Sequence, residues 1–521
     1  MSPVFLGMLG GTFIDPVTLV FVFGGLLLLC FELERPTSTV ILPVLAGCLF
    51  GIATALKLTN VMYAASVGLA ILVASRFRAS GWRVGAWYAF GAAFGAVVTG
   101  GWWSFQLYRE FGNPFFPLFN DYFHSPDFPQ VRLLHTRFKP ASLVDALTFP
   151  FDMASSHKWV YVENAAADIR FALLSVFALM LVAIGILHKG HPESPGTRVR
   201  SVPTALIICF FLISFLFWMA TSGNGRYGLP VLLLVGPVLI LTIRTAIRNR
   251  TWFVRVVFAI LLMQGIVVSL GDSPRWEVGS WSAKWIDVDV PAQLKDNAYG
   301  YLSEGTNSNS FIALNIHPDS RLVSLLGVHP LSRDGPGGQR VSAFISAHAG
   351  KLRMLGKLEV PIEGAFTGKS EFSDYMKEID GRYAMWDLRM DPEDCVTIKY
   401  SVNPVNFSAL FSCALIPGNP RRAGMIAEWE RTSGVFDRIE HFCPALFNPA
   451  GGYTTRRGKA WYRHYLNTEA RLRALNGHVL LSHDPLGPFG VDMGTLEDWE
   501  AGVSKWECAI PPQHWKVPAI Q

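Results

Sequence analysis

Charged side chains are scarce in this 521-residue chain. They make up 16% of the residues, whereas soluble domains carry about a quarter. The scarcity lies mainly in the first half of the chain, where uncharged runs of roughly 15 to 25 residues follow one another, about the length that a helix needs to cross a bilayer. This distribution disfavours a set of buried helices in a soluble protein, because the charges are confined between the runs.

Eight uncharged runs predict about eight transmembrane helices. The runs are Pro16–Phe31, Val40–Leu56, Leu58–Ser75, Val84–Tyr108, Phe171–Leu187, Ser201–Gly225, Tyr227–Ile243 and Val256–Gly271. We therefore expect a polytopic α-helical membrane bundle over residues 1–271, with one large external loop at about residues 104–170. Gly91 and Gly95 form a GxxxG pair in the fourth run, which favours close packing against another helix.

Basic residues are concentrated in every second short loop between these runs. They are Arg35; Arg76, Arg78 and Arg83; Lys189, Arg198 and Arg200; and Arg244, Arg248, Arg250 and Arg255. The remaining short loops contain only Lys57 and Arg226 as cations. The positive-inside rule places the basic loops in the cytoplasm and both chain ends, the long loop and the C-terminal half outside.

A cleavable signal is missing from residues 1–15, which have neither a basic segment nor a small-residue cleavage site. An external N-terminus then requires either that the short uncharged tail crosses the membrane by itself or that a further span precedes it. We favour the second explanation.

The C-terminal half, residues 272–521, lacks long uncharged runs and predicts a small extracytoplasmic α/β domain. We predict helices at about 291–302, 370–380, 455–476 and from Thr495 onward, where Asp498 completes a capping box, and strands at 310–315, 321–326, 382–388 and 478–482.

Four of the seven cysteines, Cys395, Cys413, Cys443 and Cys508, lie in this external half. In an oxidising compartment they predict two disulfides, and the sequence leaves three pairings open. The absence of CxxC spacing disfavours a zinc site.

Several chemistries have no signature here. The Gly-rich segment 334–338 is neither a dinucleotide-binding nor a Walker motif, and the histidines show no metal-ligand spacing. Ser482, His483 and Asp484 are consecutive and therefore do not form a catalytic triad. The mildly basic balance is explained by the cytoplasmic loops and indicates no nucleic-acid partner. The near absence of polar residues inside the predicted spans disfavours a flippase.

The external loops are unusually rich in rings, prolines and charges. Aromatic residues crowd the segment 102–126, and its prolines set the turns, so we expect this segment at the membrane surface. Glu163, Asp168 and Arg170 follow in the same loop, while Lys57 and Arg226–Tyr227 occupy the other external loops. Such a rim suits a lipid-linked phosphate. The competing interpretation is a structural loop with cations that extend to the membrane surface.

The loop also carries a resemblance to a known family. Its segment 112–120, followed by Phe123 and Ser125–Pro126, resembles bacterial GT-C-type membrane glycosyltransferases, relatives of the protein O-mannosyltransferases and the lipid A aminoarabinose transferase. The shared structural loop motif consists of Gly112, Asn113, Pro114, Phe116, Pro117 and Asn120. The segments Gly51–Asn60, Asp168–Arg170 and Gly225–Tyr227 are similar as well, and the resemblance covers roughly residues 12 to 330.

The resemblance implies a sugar transfer at the outer face of the bacterial inner membrane, with the C-terminal domain in the periplasm. The donor would be a polyprenyl-phosphate sugar, and the acceptor an envelope glycan, lipid or protein. A carboxylate would act as general base while cations hold the departing phosphate. Lys57, Arg109, Arg170, Arg226 and Tyr227 are the predicted phosphate-binding residues. No cofactor is evident, and a divalent cation is left open.

The sequence departs from the family at the expected base. The family places a catalytic carboxylate in its first large external loop, whereas Asp15 is the acid that precedes the first span here and resembles the residue that opens a later helix. Either the start is truncated or this member is catalytically degenerate. Asp121, Glu163 and Asp168 are the candidate substitutes. Two other functions stay open: a non-catalytic membrane protein whose external domain binds glycan or a partner, and an envelope polysaccharide polymerase or ligase.

Overall fold

The computed structural model describes the chain in two compact units. It describes all residues except 1, 12, 36–38, 134–136, 188–201, 248, 271–275, 277–285, 305–308, 326–332, 334, 358–376, 378–379, 402–406, 449–451, 458, 483–490 and 509–521. The first unit comprises Met1–Leu107 and His135–Glu277, and the second comprises Tyr108–Leu134 and Val278–Pro511. The first part of the long loop thus clusters with the C-terminal half.

The first unit is helical. Its helices are α1 Pro3–Met8, α2 Asp15–Glu34, α3 Ile41–Leu56, α4 Val61–Ala74, α5 Ala79–Phe111, α7 Leu143–Asp152, α8 Arg170–Leu187, α9 Val202–Thr221, α10 Leu229–Ala246 and α11 Arg250–Leu270. The last residues of α5 and the short helix α6 Asn120–Phe123 belong to the second unit. Each of the eight predicted runs falls on one of these helices.

Five helices in the described part of the chain, α2, α5, α9, α10 and α11, are long and apolar enough to cross a membrane. The apolar helices α3, α4 and α8 are shorter. Large apolar side chains on α5 and α11, among them Val97 and Phe258, are exposed, which suits helices that face lipid rather than water. Length, composition and exposure together support a multi-pass membrane protein.

Helices α3 and α5 approach each other through glycines on both sides. A Cβ atom built on Gly91 would lie 2.1 Å from the carbonyl oxygen of Val44, and Gly95 is equally crowded by the backbone of α3. Gly47 and Gly51 on α3 face the backbone of α5 in the same way. The predicted close packing of the Gly91–Gly95 pair is therefore confirmed. A second glycine pair, Gly47–Gly51 on α3, forms the other side of this interface.

The second unit combines two sheets with helices. Its strands are β1 Asp287–Asp289, β2 Gly300–Glu304, β3 Arg321–Ser324, β4 Leu352–Lys357, β5 Leu388–Ser401, β6 Phe407–Pro417, β7 Thr454–Arg457, β8 Ala460–Tyr465, β9 Ala470–Leu475, β10 His478–Ser482 and β11 Val491–Thr495. Its further helices are α12 Ala292–Asp296, α13 Pro336–Ala347, α14 Arg422–Phe442 and α15 Leu496–Ala501. One mixed sheet has the order β1-β5-β6-β4-β2-β3, and an antiparallel sheet has the order β11-β10-β9-β8-β7.

The helix predicted at residues 455–476 is wrong, because this segment forms β7, β8 and β9. Burial alternates along β8 and β9, as expected for strands with one face against a core. Asn476 and Gly477 both have positive φ angles, 51° and 81°, and they connect β9 to β10 as a tight hairpin turn. Arg471 and Arg473 lie on the more exposed face of β9, whereas Arg463 of β8 is buried and forms an ion pair with Glu440 of α14.

Other boundaries also differ from the prediction. The helix predicted through Leu302 ends at Asp296, because Leu302 is buried in β2 between two neighbouring strands. Residues 310–314 form a 3₁₀ helix instead of a strand. A further 3₁₀ helix, Ala384–Trp386, lies within the strand predicted at 382–388, of which only Leu388 belongs to a strand. The strands at 321 and 478 and the capping box of Thr495 are confirmed. The helix predicted at 370–380 lies mostly outside the described residues.

The structure selects one of the three disulfide pairings. Cys395 and Cys413 lie opposite each other on β5 and β6 and form one bridge. Cys443, which follows α14, forms the other bridge with Cys508. The second bridge ties the region after α15 back to the main helix of this unit.

Candidate functional site

A polar cluster lies at one end of the helical bundle. Asp15 is the first residue of α2, where the helix dipole favours an acid. Lys57 directly follows α3 with an extended backbone, and its ammonium group donates a hydrogen bond to the Asp15 carboxylate. Both side chains are largely buried, so the pair links the ends of two antiparallel neighbouring helices.

Tyr227 lies beneath the ammonium group of Lys57. The Lys57 Nζ atom is 4.2 Å from the centroid of the Tyr227 ring, a cation–π geometry. The Tyr63 hydroxyl donates to the Tyr227 carbonyl oxygen at 2.5 Å. Helix α4 therefore helps to fix the position of the ring on which the lysine rests.

Arg226 brings a second cation to the same ring. Its guanidinium carbon is 5.9 Å from the Tyr227 centroid and 5.4 Å from that of Phe13. Its Nη2 atom lies 3.2 Å from Oε1 of Glu163. Within the described residues, the other carboxylate oxygen of Glu163 and the Nε atom of Arg226 are buried without a hydrogen-bond partner. This half of the cluster has unused hydrogen-bonding capacity.

The pKa of Lys57 reflects its burial and the nearby charges of Asp15 and Arg226. Burial lowers the pKa of the Lys57 ammonium group, Asp15 opposes this effect, and the charge of Arg226 lowers the pKa further. Two cations that repel each other across one ring favour an anion between them. The carboxylates of Asp15 and Glu163 balance the charge of these cations.

The turn that carries Arg226 is held by several backbone hydrogen bonds. The Trp218 indole donates to the carbonyl oxygen of Asn224 at 2.7 Å, and the Asn224 side chain accepts from the Arg226 amide at 3.0 Å. The Gly225 amide donates to the Tyr161 carbonyl oxygen at 2.5 Å. A Cβ atom on Gly225 would lie 2.8 Å from the Tyr161 ring, so this turn requires glycine.

Asp168 and Arg170 form a separate buried pair. The Arg170 guanidinium donates to both carboxylate oxygens of Asp168, at 2.8 and 2.5 Å, and to the carbonyl oxygen of Leu232 at 3.0 Å. Asp168 is fully buried. A carboxylate occupied in this way orients its arginine and connects the start of α8 to α10.

An apolar cavity of about 500 Å³ extends from Arg170 between α10 and α11. Its α10 wall runs from Leu233 to Ile243, about 15 Å along the helix. Gln264 lines the cavity from α11, and its Oε1 atom accepts from the Ile169 amide at 3.1 Å. The Gln264 Nε2 atom is buried and has no hydrogen-bond partner among the described residues. The cavity is thus apolar along its length and polar beside Arg170.

The remaining predicted site residues belong to the second unit. Arg109 is exposed in the last turn of α5, and Asp121 is exposed in α6. The structure therefore brings together Lys57, Glu163, Arg226 and Tyr227 of the predicted set and places Arg170 with Asp168.

The predicted loop motif is organised by two buried asparagines. Asn113 donates to the Leu118 carbonyl oxygen at 2.9 Å. Asn120 donates to the carbonyl oxygens of Ser125 and Phe128, at 2.9 and 2.8 Å, and accepts from the Ser125 amide. The turns between them involve Gly112, whose φ angle is +67°, and Pro114 and Pro117. The loop packs through Phe116, Phe128 and Val131 against Leu466 of its own unit.

Sequence reasoning identified Asp15 only as the residue that opens a helix, and it missed Asp15 as the partner of Lys57. Successive membrane spans run in opposite directions, so the start of α2 and the end of α3 lie at the same end of the bundle. This alternation of direction could have placed Asp15 near Lys57 from the sequence.

Among the described residues, no group of three or more His, Cys, Asp or Glu side chains is arranged to hold a metal ion. Comparison with models of protein families, with curated proteins and with solved structures found no match.

Proposed function

We propose that this protein is a membrane glycosyltransferase that moves a sugar from a polyprenyl-phosphate donor to an envelope glycan, lipid or protein at the outer face of the bacterial inner membrane. The observation that carries the proposal is the convergence of Lys57 and Arg226 over the Tyr227 ring. Two carboxylates, Asp15 and Glu163, balance these cations at one end of a bundle whose helices suit a membrane.

The two cations supply the charge that a departing phosphate requires. Arginine and lysine bind phosphate oxygens through charge-assisted hydrogen bonds, and such groups stabilise negative charge most strongly in a partly dehydrated site. The bond between the sugar and the phosphate oxygen breaks, and the polyprenyl phosphate leaves with the electron pair. Lys57 and Arg226 then exchange part of their contact with Asp15 and Glu163 for contact with that anion.

The cavity between α10 and α11 supports a lipid-linked donor. It is lined by apolar side chains over about 15 Å of α10, and its polar end is formed by Arg170 and Gln264. Helix α10 begins two residues after Tyr227, so the same helix connects the charged cluster to the apolar cavity. A lipid chain fits this environment because it requires no hydrogen bonds.

Glu163 is the proposed general base. Its Oε2 atom has no hydrogen-bond partner among the described residues, while its Oε1 atom is held by Arg226. The free oxygen takes the proton of the acceptor hydroxyl as that hydroxyl attacks the sugar carbon, with inversion of configuration. Asp168 is less suited to this role, because both of its oxygens are bound to Arg170.

The test is a transfer assay in membranes with labelled polyprenyl-phosphate sugars. Glu163→Gln should lower turnover by about 10²-fold or more, the typical contribution of a general base, and should leave donor binding intact. Asp121→Asn is the matched control, because Asp121 is an exposed carboxylate of the same long loop and belongs to the other unit. Equal activity of Glu163→Gln and wild type would remove Glu163 as the base. Absence of transfer by the wild type from any such donor, with no loss of envelope sugar on gene deletion, would overturn the proposal.

A further inference from the structure

Helix α7, Leu143–Asp152, carries a stripe of exposed apolar side chains. Its members are Leu143, Val144, Leu147 and Phe151, which are between 45% and 77% exposed. At 3.6 residues per turn, these four positions fall within about 100° around the helix axis. Single exposed apolar side chains are ordinary, whereas a contiguous stripe marks a surface that has a partner other than water. The proposed transfer reaction uses none of these residues.

The stripe is not the face by which α7 packs on the bundle. Phe149 and, directly after the helix, Met153 are buried, and the Phe149 ring centroid lies 5.8 Å from that of Trp218 on α9. Asp145 and Asp152 project from a third side of the helix, more than about 100° from the centre of the stripe. Helix α7 therefore has one apolar face against protein, a second apolar face that is exposed, and an acidic side between them.

Helix α7 is attached at the end of the bundle that holds the charged cluster. The Met153 carbonyl oxygen accepts a hydrogen bond from the Asp168 amide at 2.8 Å, directly before α8 begins. Trp218, against which Phe149 packs, donates to the turn that carries Arg226. These contacts fix α7 beside the start of α8 and the end of α9.

The membrane is the partner that this position favours. Helices α8 and α9 expose apolar side chains of their own, among them Val176 and Leu216, so the stripe adjoins helices that suit lipid. With ten residues, α7 is about 15 Å long, too short to cross a hydrocarbon core of about 30 Å. A short helix with an apolar stripe and a charged side lies along a membrane surface instead.

We infer that α7 lies in the membrane–water interface at the charged end of the bundle, with its apolar stripe among the lipid acyl chains and its acidic side toward water. The hydrogen bond from the Asp168 amide to Met153 connects this helix to the buried Asp168–Arg170 pair. The pair and the polar end of the cavity between α10 and α11 therefore lie near the level of the lipid headgroups. The inference does not depend on the transferase activity.

The experiment measures the depth of a nitroxide spin label on α7 of the full-length protein in lipid nanodiscs that hold single copies. The label is attached to Leu147→Cys after the unpaired cysteines Cys30, Cys48 and Cys209 are replaced by alanine. Relaxation of the label by oxygen, which concentrates in hydrocarbon, is compared with relaxation by a nickel chelate, which stays in water. The ratio of the two should be about tenfold or more higher for Leu147→Cys than for Asp152→Cys, because the apolar face of an interfacial helix lies below the headgroups.

A second position in the stripe guards against a local effect of one label. Leu143→Cys lies one turn earlier in the same stripe and should give the same high ratio as Leu147→Cys. Circular dichroism and thermal unfolding show whether each labelled variant is folded. Equal ratios at Leu147 and Asp152 in folded variants would overturn the inference. Slow relaxation of the Leu147 label by both reagents would also overturn it, because protein rather than lipid would then cover the stripe.

Discussion

Replacing Gly91 by alanine should destabilise the helical bundle. The added Cβ atom would lie 2.1 Å from the Val44 carbonyl oxygen, whereas ordinary contact begins at 3.4 Å. Relief of the overlap requires α3 and α5 to separate locally by about 1.3 Å. That separation would also loosen the facing contacts of Gly47, Gly51 and Gly95, because all four glycines belong to one interface.

The size of the effect follows from two opposing contributions. Overpacking of a close interface costs about 1–3 kcal/mol, and a displacement of this size at a backbone atom belongs near the upper limit. Alanine gains up to about 1 kcal/mol over glycine in helix propensity. The net loss in the free energy of unfolding should therefore be about 2 kcal/mol.

The assay is unfolding of the purified protein in mixed micelles with increasing denaturing detergent, followed by circular dichroism. Gly265→Ala is the matched control, because Gly265 is also helical and a Cβ atom there meets nothing within 4 Å. Gly265→Ala should be as stable as wild type or slightly more stable. If Gly91→Ala and Gly265→Ala unfold at the same detergent fraction, the proposed interface between α3 and α5 is refuted.

Three further predictions concern the second unit. Cys443→Ser opens a disulfide to Cys508 that spans 65 residues, and loop-closure entropy predicts a loss of about 4 kcal/mol in the free energy of unfolding; unchanged urea unfolding would contradict it. Hydrogen bonds from Arg353 lower the pKa of Asp394 in the folded protein. The contribution of this pair to the free energy of unfolding is therefore complete above the ordinary carboxyl pKa of 3.8 and is lost as the pH falls through the lower pKa of the folded state. Unfolding below pH 4 should therefore depend less on pH in Asp394→Asn than in wild type, and an identical dependence would refute this. Gly477→Ala should cost about 1 kcal/mol or more, because Gly477 has a φ angle of +81°; urea unfolding equal to wild type would show that the turn tolerates a side chain.

The sequence predicted the bundle well for a physical reason. A helix that faces lipid must be apolar over its whole length, so the run itself marks the helix without any long-range information. The eight runs follow from this rule, and the Gly91–Gly95 pair follows from the need of closely packed helices for small residues. The partner pair Gly47–Gly51 was visible in the sequence, but the choice of α3 as the neighbour of α5 depends on the packing of the whole bundle.

The second unit was harder to predict because its strands are short and rich in charge. Residues 455–476 contain many arginines, which are good helix formers, yet the alternating burial of β8 and β9 decides the structure. The dipeptide Asn476–Gly477 is a strong hairpin signal and could have corrected the prediction. Tertiary packing outweighs local preference in such strands.

The candidate site was predicted in part. Lys57 and Arg226 were recognised because each is the cation of a short loop that is otherwise bare of charge. Glu163 was recognised as one of several acids in the long loop. The contact between Asp15 and Lys57 joins residues 42 positions apart and depends on how α2 packs on α3.

The most direct test of the central claim is the binding of polyprenyl phosphate to the purified protein in lipid nanodiscs. Arg226→Gln should weaken this binding about tenfold or more, because a charge-assisted contact to phosphate is lost. Arg109→Gln, which alters an exposed arginine of the other unit, should bind as wild type does. Equal affinity of Arg226→Gln and wild type, or no measurable binding by the wild type, would contradict the account.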